Sequence, residues 1–168
     1  MEFGERLTES SRTAWRTPPE IVALVEKIYG GWITLDPCAS ADTKEWLARV
    51  NYHPGGADDG MTSQWFGNVY ANPPYGRQMV RWIEKGMAAR LSRDVDAIIW
   101  LVPARLDTRW WDKLISVSSV FAVKRGRLKF VGAPNCAMFP SALVYVGQTP
   151  DKFITELDRD EWTIYKQI

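Results

Sequence analysis

The chain has 168 residues, 46% of them apolar, 24% charged and 12% aromatic, and its 21 Lys and Arg against 20 Asp and Glu leave a formal net charge of +1. A chain of this length closes one core, and the near-neutral balance excludes a strongly basic nucleic-acid coat or an acidic tail while leaving room for a local basic patch. One His excludes any site built on two imidazoles, two Cys are too few for a disulfide framework or a Cys-rich zinc site, and no apolar run reaches the roughly 20 residues that cross a bilayer.

Residues 1–14 read as a loosely ordered N-terminus and 15–168 as a single domain, with no secretory signal pattern; the expectation is a cytoplasmic protein with neither a membrane partner nor a metal. Thr17-Pro18-Pro19-Glu20 predicts a helix start, with Thr17 as N-cap, Pro at the first helical position and Glu three residues after the cap. The helix carries the stripe Ile21, Leu24, Val25, Ile28 and stops at Gly30-Gly31. Trp32-Ile33-Thr34-Leu35 predicts a short strand ending at Asp36-Pro37, since Pro cannot donate to a ladder. Residues 44–50 read as a short helix or turn, and 53–60 as loop.

Gly67-Asn68-Val69-Tyr70-Ala71 is a strand running straight into Asn72-Pro73-Pro74-Tyr75. Met79, Ile83 and Met87 mark an amphipathic helix. The continuous apolar run 97–102 suits a strand buried on both faces. Trp110, Trp111, Leu114 and Ile115 predict another helix. Residues 120–123, 128–131 and 142–146 read as strands, and 153–164 as a helix or strand covering the sheet. The nine Trp residues are scattered, which makes them mostly packing residues, with one or two free to offer a stacking face to a base. Helix and strand alternate first and strands cluster later, so the expectation is an α/β sheet, mostly parallel with an antiparallel C-terminal edge hairpin.

The most specific string is Asn72-Pro73-Pro74-Tyr75 at a strand's C-terminal end, where open α/β sheets bind ligands. Two prolines remove two backbone donors, so the loop presents carbonyl acceptors, to which Asn72 adds an amide oxygen and Tyr75 an aromatic face. That suits a planar substrate carrying an NH2 group, such as adenine. Accepting both amine hydrogens frees the nitrogen lone pair to attack an electrophilic methyl, and preorganised acceptors act where positive charge develops.

This motif is that of amino-methyltransferases, and the wider pattern resembles the phage-type Dam DNA adenine-N6 methyltransferases. The resemblance rests on Trp15-x-Thr17-Pro18-Pro19, Leu35-Asp36-Pro37-Cys38-Ala39, Asp58-Asp59-Gly60-Met61 and Asn72-Pro73-Pro74-Tyr75-Gly76-Arg77. It continues through residues 101–110, 125–130 and 139–143, in the expected order. It implies a Rossmann-like class I methyltransferase sheet and S-adenosylmethionine-dependent methyl transfer to adenine in DNA. It implies catalytic roles for Asn72, Pro73, Pro74 and Tyr75, and cofactor binding by Thr17, Pro18, Asp36, Pro37, Asp58 and Asp59. Two departures stand out. Cys38-Ala39-Ser40 replaces the Gly-x-Gly loop after the first strand, and the stretch between that strand and Asn72 is shortened.

A methyl donor cannot reach the amine inside a stacked duplex, so the target base must be flipped or already unpaired. Arg105, Arg109, Lys124, Arg125, Arg127 and Lys129 are candidate phosphate contacts, the last four on an expected hairpin. The alternatives are the same fold acting on RNA adenine or a protein glutamine, and a non-catalytic DNA-binding relative. Pro37-Cys38 also matches the nucleophile dipeptide of cytosine-C5 methyltransferases, although Cys38 reads better as a buried small residue. Asp58, Asp59 and Asp107 offer carboxylates for a Mg²⁺-dependent nuclease, which would need the metal and ignore a methyl donor.

Overall fold

The computed structural model describes residues 15–40 and 47–166. The expectations for 1–14 and for 44–46 therefore lie outside the described residues; of the rest of 44–50, residues 47–49 bend and Val50 opens a strand. Seven strands form one sheet in the order β2-β1-β3-β4-β6-β5-β7: β1 is Leu35–Asp36, β2 Val50–Asn51, β3 Gly67–Ala71, β4 Val95–Pro103, β5 Val120–Lys124, β6 Ser141–Gly147 and β7 Trp162–Lys166. Strands β2, β1, β3 and β4 pair in parallel, with Leu35 opposite both Val50 and Val69, and Val69 opposite Ile98. Strand β6 then runs antiparallel to β4 and β5, and β7 antiparallel to β5.

Helices cover both faces. On one side α1 (Pro19–Tyr29) packs Ile21, Val25 and Ile28 with Phe153 of α4 (Asp151–Glu156) against Tyr70, Ile99, Leu101 and Leu143. A Lys27–Glu156 ion pair at 2.7 Å ties the two helices together at the surface. On the other side α2 (Met79–Leu91) and α3 (Arg109–Val117) pack Trp82, Ile83, Trp111 and Leu114 against Ile98, Trp100, Val102 and Val144. Strand β4 thus sends successive side chains to opposite cores, which is why its sequence is apolar without alternation.

Several expectations need correction. Thr17 does not cap α1: Pro18 holds the cap position without a side-chain bond, and the Thr17 hydroxyl bonds the Tyr70 hydroxyl at 2.9 Å instead. A local cap has lost to a tertiary partner. The antiparallel C-terminal part is three strands rather than a simple edge hairpin: β5 and β6 pair antiparallel with β6 lying between β4 and β5, and β7 forms the edge rather than covering the sheet. Residues 128–131 are not a strand. Leu128 and Phe130 are buried while Arg127, Lys129 and Val131 are exposed, so the alternation comes from an extended loop plugged into the core, held by an isolated Arg16–Val131 bridge. The strand at Trp32 begins only at Leu35, and β2, which escaped the sequence reading, follows β1 in the chain and pairs with it at the sheet edge.

The strands β1 to β5 point the same way, so the loops after β1, β2, β3, β4 and β5, and the one entering β6, leave from a single sheet edge. The loop of residues 53–61 docks there through Gly60, where a Cβ would stand 1.9 Å from the Pro37 carbonyl oxygen. The Gly60 carbonyl also accepts from Trp65 Nε1 at 2.7 Å. Gly60→Ala is expected to destabilise the protein by about 1–3 kcal/mol, because backbone rather than a flexible side chain must move; a denaturant melt checks it.

Candidate active site

A cavity of about 420 Å³ opens at this edge, within the size range of small-molecule and cofactor sites. The ends of β1, β2 and β3 contribute Asp36, Asn51 and Asn72, and the chain entering α1 contributes Trp15, Arg16 and Thr17. The face of α1 carrying Pro19, Val22, Ala23 and Glu26 completes one wall, a second helical stripe beside the core-facing one.

Asn72 is held by its amide nitrogen. Nδ2 donates to the Trp15 carbonyl at 2.6 Å and to Thr17 Oγ1 at 3.2 Å. A carbonyl only accepts, so this contact fixes which end of the amide faces it. Oδ1 is consequently an acceptor, and it is buried without a hydrogen-bond partner among the described residues. Leaving such an atom unpaired costs about 1–3 kcal/mol, which marks it as a position waiting for a donor. Pro73 is buried and Pro74 lines the cavity.

Tyr75 lies beyond Pro74, half-buried among aromatic rings. It meets Phe139 edge-on at 5.4 Å and Phe130 at 6.3 Å, while Trp15 packs on the same two rings. Its hydroxyl donates to the Leu101 carbonyl at 3.3 Å, and burial raises its pKa, so it stays a neutral phenol.

Asp36 is buried and accepts from the Cys38 backbone N–H at 2.9 Å. Burial raises its pKa to about 7 against the opposing pull of that hydrogen bond, and no cation pairs with it among the described residues. Burial, and then the neighbouring Asp36, push the Cys38 thiol well up, which is the reverse of what a cytosine-C5-type thiolate nucleophile requires.

Of the expected cofactor residues, the structure brings Thr17 and Asp36 together around the cavity. Pro18 and Pro37 are buried just behind them. Asp58 is exposed, and Asp59 spends both oxygens on its own loop, accepting from Gly55 N at 2.6 Å and Met61 N at 2.8 Å; those two bonds lower its pKa. Neither lines the cavity.

The expected cations separate. Arg105 and Arg109 are exposed on the β4–α3 turn and the start of α3, and Arg125, Arg127 and Lys129 on the loop after β5. Lys124 is taken up by the fold, 3.4 Å from Glu161 and above the Trp162 ring. Sequence reading missed Asn51, Arg16 and Glu26. Asn51 had a signal in the β-favouring Val50-Asn51-Tyr52 ahead of His53-Pro54-Gly55-Gly56, and Glu26 in the Pro19, Val22, Ala23 spacing.

No helix among the described residues is long and apolar enough to cross a membrane, and no group of His, Cys, Asp or Glu among them could hold a metal ion. A search of curated proteins finds no match. A family model described as DNA N-6-adenine-methyltransferase (Dam) matches residues 4–140, a span that includes Thr17, Asp36 and the Asn72 loop. By that match over most of its length, the chain belongs to the DNA N-6-adenine-methyltransferase (Dam) family.

Proposed function

We propose that this protein transfers a methyl group from S-adenosylmethionine to the exocyclic amine of adenine in DNA. The observation that carries the reading is the buried, unpartnered Oδ1 of Asn72 beside a cavity that also holds the buried, unpaired carboxylate of Asp36. The residues present fit the cofactor: Asp36 offers a carboxylate to its ammonium group, Thr17, Asn51 and Glu26 offer polar groups, and Val22, Ala23 and Leu47 offer apolar wall. When bound, S-adenosylmethionine supplies an electrophilic methyl carbon. Pro18 and Pro37 support this wall from behind, and Asp58 and Asp59 shape the loop docked beneath Pro37.

Asn72 Oδ1 and the donor-free backbone of Pro73 and Pro74 accept from the adenine amine. This draws the nitrogen away from the planar form in which its lone pair is delocalised into the ring. Tyr75 supports the flipped base with its ring, and the surplus amine proton leaves to solvent, so no titratable base is needed. Positive charge developing on the nitrogen is met by acceptors already in place. DNA phosphates are met by the exposed cations of the same edge.

The decisive experiment is transfer of labelled methyl from the cofactor to unmethylated DNA, with the modified base identified by mass spectrometry and its site mapped. Label in N6-methyladenine is expected; label in another base, or in none, overturns the reading. Thr17→Val, which removes one of the two acceptors gripping Asn72, is expected to lower kcat about tenfold, the worth of one hydrogen bond. Thr17→Ser, which keeps the hydroxyl, should restore the rate at saturating cofactor. Single-turnover kinetics with a cofactor titration check this.

A further inference from the structure

Met138 is 96% exposed, the most exposed large apolar side chain among the described residues. A single exposed apolar residue is ordinary on a protein surface; its anchoring is not. On one side Ala137 is buried and its N–H donates to the Leu128 carbonyl at 2.8 Å. On the other side the Phe139 ring packs 5.4 Å from Tyr75 and 5.7 Å from Trp15, and the Pro140 carbonyl accepts from Ala104 N at 2.8 Å. With both neighbours anchored, the Met138 side chain stands out from the sheet edge one residue away from a ring packed on Tyr75.

The surroundings indicate what it meets. The β4–α3 turn, joined to this loop through Ala104 and Pro140, exposes Arg105 and Leu106, the latter 63% exposed. The stretch leading to Met138 exposes Arg127 and Lys129, and Arg77 is exposed just past Tyr75. Apolar tips set among cations, beside an aromatic ring, fit a polyanion with an apolar interior. A stacked duplex is that, with phosphates outside and base faces within.

Resting on the methyltransferase reading above, we infer that Met138 is a wedge that enters the duplex stack and fills the place left by the target adenine when it turns out toward Asn72 and Tyr75. An unbranched thioether adapts to the irregular gap between base faces. It lowers the cost of unstacking, and stops the base returning before transfer. Apolar side chains of this size class are known to insert between base steps of a duplex.

The test compares the wild type with Met138→Ala and Met138→Leu on duplexes carrying the mapped target site, with either thymine or an abasic position opposite the adenine. The pairing that opposes flipping is present in the first duplex and missing from the second. Met138→Ala is expected to lose about tenfold or more in kcat/KM on the paired duplex and to match the wild type on the abasic one, while Met138→Leu stays active on both. Equal rates on the paired duplex, or an equal loss on both, overturn the wedge. A wild type that transfers to neither duplex overturns the methyltransferase reading itself, and the wedge with it.

Discussion

Asn72→Ala is expected to lower methyl transfer by about 10²–10³-fold, the usual consequence of deleting one preorganised polar group that meets developing charge, with cofactor affinity unchanged. The division follows from the two ends of the amide. Nδ2 is committed to the Trp15 carbonyl and Thr17 Oγ1, so it holds the side chain still. Oδ1 is left as an acceptor with no internal partner, so it is free for substrate. Removing the amide leaves Asp36, on the neighbouring strand β1, in place. Single-turnover transfer and calorimetric cofactor titration measure the two effects separately; retained transfer would refute the assigned role.

Asp36→Asn is expected to weaken cofactor binding by about a hundredfold, within the cost of truncating one partner of a buried charge pair, while making the free protein more stable above neutrality. The second effect follows from the carboxyl's raised pKa of about 7. Between the ordinary carboxylate value and 7 the folded protein holds a proton that the unfolded chain has released. Stability from this group is therefore present at acid pH and lost as pH rises through about 7. A rise of this size is worth on the order of 4 kcal/mol at about pH 8, and Asn escapes it. Melting curves of wild type and variant should coincide below about pH 4, diverge progressively as pH rises to about 7, and stay apart by a constant amount above it. A cationic ligand reverses the sign, because it favours the ionised form: wild-type cofactor affinity should strengthen as pH rises through 7, and that of Asp36→Asn should stay flat.

Legibility in the sequence was uneven, for identifiable reasons. Helices α1, α2 and α3 and strands β3, β4 and β6 announce themselves because each has enough residues for a period, a cap or an apolar run to repeat. Strand β2, with two residues, has no period to show. Residues 127–131 imitate a strand because an extended chain lying on a core alternates inside and outside whether or not it has ladder partners. The edge hairpin was legible only in part: residue order shows that β5 and β6 exist, but the slot β6 occupies depends on β4 accepting it along seven paired positions.

The functional loop was readable as chemistry. Asn72-Pro73-Pro74-Tyr75 states an acceptor-rich corner by composition alone, and Asp36-Pro37 states an acid at a strand end. What each does depends on distant residues. Thr17 looks like a helix cap in its own neighbourhood, yet the nearest strong partners of its hydroxyl lie on β3 and the loop beyond it. Asp58 and Asp59 look equivalent in the sequence, but two backbone N–H groups engage only Asp59. The sequence by itself determined the identities that chemistry needs: an amide, two prolines, a ring and an acid, each placed at the end of a strand. The tertiary structure alone decided that the amide is gripped by one end and free at the other, and that the acid is buried without a cation. Hydrogen-bond partners and desolvation are set by atoms far apart along the chain, and no local pattern encodes them.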